Sequence, residues 1–189
     1  MDELQNRTAT LAVEEVELSG SQLMVTVAIQ SLAGHKFPTG FPARRAWLRF
    51  TVQDAGGGRV FESGVVNPDG SIVGNDNDAD PVSYEPHYQV IVSPDQVQIY
   101  ESIMRDSEGG VTTALLRGAG YLKDNRLLPS GFDKETAFED IAVQGRAMED
   151  KDFVGGGDRV PYAIELGNAE GPFTVTVELL YQSVGYRSA

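Results

Sequence analysis

The sequence predicts an all-β fold: an antiparallel β-sandwich, jelly-roll or immunoglobulin-like, with long loops and one short helix. Three observations carry this. Apolar residues recur with a period of two in several short runs. Turn-forming residues cluster between those runs, and the chain holds 21 Gly and 9 Pro. Helical periodicity is weak throughout. A period of two puts alternate side chains on opposite faces of a strand, so one face can be buried while the other meets water.

Taken in order, residues 10–18 form the first predicted strand. Leu23, Val25, Val27 and Ile29 alternate with Met24, Thr26 and Ala28 to give the second. Ser19-Gly20-Ser21 between them reads as a hairpin turn. Leu48, Phe50 and Val52 share one face of a third strand, and Asp54-Ala55-Gly56-Gly57-Gly58-Arg59 turns it towards Val60-Phe61. Val97, Ile99 and Tyr100 mark another strand. Residues 160–166 and the alternation of Phe173, Val175, Val177 and Leu179 give the last two, linked by Gly167-Asn168-Ala169-Glu170-Gly171-Pro172. The short helix is placed near residues 134–138. Alternation does not show closure, so a barrel stays open as an alternative. Residues 34–45 and 67–86 lack alternation and read as excursions from one scaffold, so 1–189 is taken as a single domain.

Composition narrows the function. The chain has 189 residues, 15 Lys+Arg against 28 Asp+Glu, and a net charge of -13. Such a surface repels phosphate backbones, which speaks against nucleic acid as a partner. With no cysteine there is no disulfide, no thiolate nucleophile, no cysteine-ligated zinc and no Cys-x-x-Cys-His haem attachment. His35 and His87 are the only histidines, too few for a multi-histidine metal site. Met1-Asp2-Glu3-Leu4-Gln5 lacks a basic region followed by an apolar run, so no signal peptide is expected. No stretch approaches the ~20 apolar residues of a spanning helix.

Two acidic segments are candidates for holding a cation. Asp76, Asp78 and Asp80 stand at i, i+2 and i+4, where a curled loop can present oxygens to calcium, with Asn75, Asn77, Asp69 and Glu85 as further donors. An EF-hand is excluded, because counted from Asp76 its glycine position is Pro81 and its closing glutamate position is His87. The alternative is a solvated loop using Asn and Asp for turns. Asp150, Asp152 and Asp158 surround Gly155-Gly156-Gly157, whose carbonyls can approach an ion. Lys151 argues against that site, and a flexible turn is the alternative. The same glycines lack the Lys-Ser/Thr and helix of a phosphate-binding loop. His35 or His87 with nearby carboxylates would serve a hydrolase, but no nucleophile elbow accompanies them. Arg44-Arg45 face opposite ways in a strand, which suggests an internal ion pair and a surface charge. Trp47 lies in a strand and suits core packing better than a carbohydrate platform.

Gly34-His35-Lys36-Phe37-Pro38-Thr39-Gly40-Phe41-Pro42-Ala43-Arg44-Arg45-Ala46-Trp47-Leu48 resembles a segment of bacterial multihaem cytochrome c-like proteins, where it follows the haem-bearing region. Glu85-Pro86-His87-Tyr88, Val97-Gln98-Ile99-Tyr100-Glu101-Ser102, the stretch 122–132 and Leu180-Tyr181-Gln182-Ser183-Val184-Gly185-Tyr186 are similar to the same C-terminal domain. The resemblance covers about 25–187 and departs from the family in lacking every haem-binding cysteine. It implies a cysteine-free β-rich domain with no covalent haem of its own, any haem being in a parent or partner chain, and a periplasmic or extracellular setting. The expected function is a non-catalytic accessory domain of an electron-transfer protein, with His35, Lys36, Arg44, Arg45 and His87 on its interaction loops. A calcium-binding recognition module, carbohydrate-binding-like, is the alternative, and a hydrolase the third.

Overall fold

The computed structural model describes residues 7–188. The segment read for a leader, residues 1–6, lies outside them. The first sheet has the order β1-β2-β9, with β1 Ala9–Ser19, β2 Gln22–Ser31 and β9 Gly157–Glu165. The second has the order β10-β3-β4, with β3 Arg45–Gln53, β4 Arg59–Ser63 and β10 Thr174–Gln182, and β5 (Ile99–Tyr100) also pairs with β3. A small third sheet joins β7 (Val111–Thr112), β6 (Ser102–Arg105) and β8 (Gly120–Asp124). All these pairings are antiparallel and no sheet closes into a barrel.

Alternation sets the layers. Leu23, Val25, Val27 and Ile29 of β2 face Leu48, Phe50 and Val52 of β3, and all seven are buried. The Tyr162 ring of β9 stacks on Phe50 at 3.9 Å between centroids and meets Phe61 of β4 edge-on. These contacts hold the two sheets face to face, at about 0.5–1.5 kcal/mol per aromatic pair beyond area burial. The second sheet is also covered on its outer side. There Trp47, Ile72, Val97 and Ile99 form a separate cluster with Leu180 against it, and the indole N–H of Trp47 donates to Gly64 O at 3.0 Å.

One expectation is corrected. Residues 134–136 form a turn, because the Asp133 carboxylate accepts from Glu135 N and Thr136 Oγ1, and helical structure resumes only as a 3₁₀ turn at Glu139–Ile141. An α-helical turn, α1, spans Asp76–Ala79 inside the acidic loop. The segment after Leu166 links β9 in one sheet to β10 in the other.

Candidate functional site

The acidic loop is built around a buried ion pair. Asn75 caps α1 by accepting from Asn77 N. A helical turn rotates successive side chains by about 100°, so Asp78 points away from Asp76, and Asp80 lies past the turn in extended backbone. Asp78 turns inward and binds the Arg45 guanidinium through both oxygens, at 2.7 and 2.8 Å, while Ile72 N donates to its Oδ2 at 2.8 Å. Arg45 Nε donates to Gln182 Oε1, and Arg187 donates to the carbonyls of Asn77 and Asp78. Asp76 and Asp80 are exposed, and Asp80 accepts from Val82 N and Ser83 Oγ. Asp69 likewise accepts from Ser71. Glu85 is buried and accepts from Val97 N and Asp76 N; burial pushes its carboxyl up, beyond what these N–H donors pull down. Asp78, turned inward to Arg45, stands apart from the exposed Asp76 and Asp80.

The second acidic segment is brought together only in part. Asp150 and Asp158 meet His87, with one ligating atom from each lying within 4.8 Å of the others. Asp152 is exposed and gives only its N–H, to Asp150 Oδ1. Two of the three glycines have a packing role: a Cβ on Gly155 would lie 2.2 Å from Phe132 O, and one on Gly157 2.2 Å from Ile29 O. Only glycine lets these backbones approach so closely.

The tautomer of His87 decides what this cluster can do. Asn125 Oδ1 accepts from Glu101 N and its Nδ2 donates to Ile99 O, which fixes the amide orientation. Its Nδ2 therefore also donates to His87 Nδ1, at 3.0 Å. Gln98 is fixed in the same way, accepting from Tyr88 N and donating to Nδ1 at 2.9 Å. With two N–H groups aimed at Nδ1, the ring proton sits on Nε2 and is donated to Asp150 Oδ2 at 3.1 Å. A metal on Nε2 would need the proton on Nδ1, facing those donors, so the donor set does not fit an ion. Asp158 accepts from Tyr100 Oη at 2.7 Å and Gln98 Nε2 at 3.2 Å, and its Oδ1 has no partner. Burial, reinforced by the nearby Asp150, pushes its carboxyl above the usual range. Asp150 goes the other way: its burial is outweighed by the hydrogen bonds of His87 and Asp152 N. His87 is 2% exposed, so the dyad has no access for a substrate and serves as a polar weld between loops.

Of the residues expected on the interaction loops, two face solvent. His35 is exposed, with Nδ1 against Lys36 O, and Arg44 is half-buried, donating to Thr39 O. Arg45 and His87 are buried, held there by their carboxylate partners. Lys36 reaches inward to Asp124 Oδ2 at 2.8 Å, where Arg126 binds the same carboxylate through Nε and Nη2 at 2.8 and 2.7 Å. Burial works to raise the Asp124 carboxyl, but Arg126 and then Lys36 outweigh it and hold it below the usual range.

The two loops do meet at the surface. Phe41, Arg45, Asn77, Met104, Leu115 and Arg187 line a cleft of about 240 Å³. Phe41 and Leu115 are exposed on its rim, and the adjacent Leu116 is wholly in solvent. Sequence reasoning missed Leu115 and Leu116, although an apolar pair beside Gly118 and Gly120 in a non-alternating stretch is the signal that exposes them.

No protein-family model and no curated protein sequence matches the chain. Among solved structures it is similar to a penta-haem cytochrome c552 from Thermochromatium tepidum, with a TM-score of 0.55 and 15% identity. The match covers 98% of this chain and 34% of that one, so the chain spans about a third of the cytochrome's length. At this identity the likeness is one of fold.

Proposed function

We propose that this chain is a non-catalytic accessory domain that packs against the haem-bearing region of a multihaem c-type cytochrome, in the same polypeptide or in a partner, outside the cytoplasm. The observation that carries the reading is the fold match along almost the whole chain to one third of a penta-haem cytochrome. The sequence strings shared with multihaem cytochrome c-like proteins agree with it. So does the cleft, since Phe41, Glu101 and Gly185 come from three of those strings and all line it. The whole chain acts as one unit, the haem being supplied from outside because no residue here can attach it covalently. Its contact face is the rim formed by Phe41, Leu115 and Leu116. Among the described residues no helix is long and apolar enough to cross a membrane.

The test is a native gel of extract from cells that make the protein, probed with antibody to this chain and stained for haem peroxidase. Haem and antibody signals in one band are expected. An antibody band free of haem stain would overturn the reading.

A further inference from the structure

We propose that the free edge of β10 accepts an added β-strand: an extended segment with apolar side chains facing inward and basic ones facing out. This stands independently of the cytochrome reading. β10 pairs with β3 alone, and among the described residues no backbone hydrogen bond reaches its other edge. Its sequence, Thr174-Val175-Thr176-Val177-Glu178-Leu179-Leu180-Tyr181-Gln182, has no proline, glycine, lysine or bulge to protect that edge. The outer strands of the first sheet are guarded. Ile91 bonds to Pro161 O and Ala163 N along β9, and β1 carries a bulge after Val13 together with Glu14, Glu15 and Glu17.

The neighbouring strand supplies the reason for an added one. In β1, Val13, Val16 and Leu18 stand in register with Val27, Val25 and Leu23, on the face that looks into the core. Their partners are 0–2% exposed, whereas Val13, Val16 and Leu18 are 40%, 59% and 58% exposed. Tyr162 places β9 over β3 and β4, so β1, at the other side of its sheet, lies by β10, which it contacts. The second sheet ends one strand too soon to cover β1. A strand on the free edge of β10 extends that sheet beneath the three side chains. Charge selects the occupant. Glu178 on β10 faces outward beside Arg49, and the chain carries a net charge of -13, which favours lysine or arginine at the outward positions of the incoming segment and disfavours a second copy.

The probe is a fluorescein-labelled peptide of alternating lysine and valine, matched in length to β10, against a glutamate–valine control. Saturable anisotropy with the lysine peptide only, weaker at high salt, is expected, with slowed amide exchange along β10. The Val16→Ser/Leu18→Ser variant should bind at least tenfold more weakly. Should that variant fail to fold, exchange in the unaltered chain still decides. No binding, equal binding by the variant, or protection of β10 through dimers in sedimentation would each overturn the proposal.

Discussion

Asp124 and Asp158 are both buried carboxylates, and the molecule treats them in opposite ways. Asp124 sits between Lys36 and Arg126, which keep it ionised below the usual carboxylate range. Asp158 has only the uncharged donors Tyr100 and Gln98 on one oxygen and none on the other, with His87 beyond; burial pushes its carboxyl above the usual range. The first region loses strength as pH falls, the second as pH rises. In an acidic chain, then, the position of the few cations decides which loop junction tolerates which pH.

The comparison breaks most sharply on Asp124→Ala. It leaves two cations, Lys36 and Arg126, largely buried without their counter-charge, and should cost about 3–5 kcal/mol in urea unfolding at neutral pH. A loss below about 1 kcal/mol would mean that the pairing is offset by its own desolvation.

The pH profile comes next. Asp124 has a folded pKa below its unfolded value of about 3.9, so its contribution is full above that value and is lost as pH falls through the folded pKa. Asp158 has a folded pKa above the unfolded value, so its contribution is full below about 3.9 and is lost as pH rises towards the folded pKa. Asp158→Asn cannot titrate. Its stability relative to the unaltered chain should therefore improve as pH rises from about 4. A difference between the two proteins that does not vary with pH would refute the account of Asp158.

The smallest effect expected is none. Melting in calcium chloride and in chelator should coincide, because Asp78 is occupied by Arg45 and the His87 ring is held in the wrong tautomer for a metal. A ligand that binds only the folded state raises the melting temperature, so a rise with calcium would restore the cation reading.

The difference between the two regions also explains what could be read from the sequence. β2, β3 and β10 were legible because alternation over nine or ten residues is a local pattern. β6 and β7 have four and two residues, too few to show a period. The acidic clusters were visible as composition, but their roles depend on partners far along the chain. Arg45 and Asp78 are 33 residues apart, Lys36 and Asp124 88, His87 and Asp150 63. Spacing within the loop suggested convergence at Asp76, Asp78 and Asp80; a helical turn and a distant arginine set Asp78 apart from the other two. The meeting of Asp150 with Asp158 was partly legible, while the interposed His87 was not.

The interior of both regions is closed, and the proposed contact with a haem-bearing region lies at the cleft where the loops meet. Replacing exposed Phe41 by Ser and repeating the haem stain on native gels tests this most directly. The account predicts an unchanged melting temperature and an antibody band that no longer carries haem, or, if the haem region is in the same polypeptide, a band in which protease now frees the domain more readily. Haem co-migration and protease resistance equal to those of the unaltered protein would contradict it.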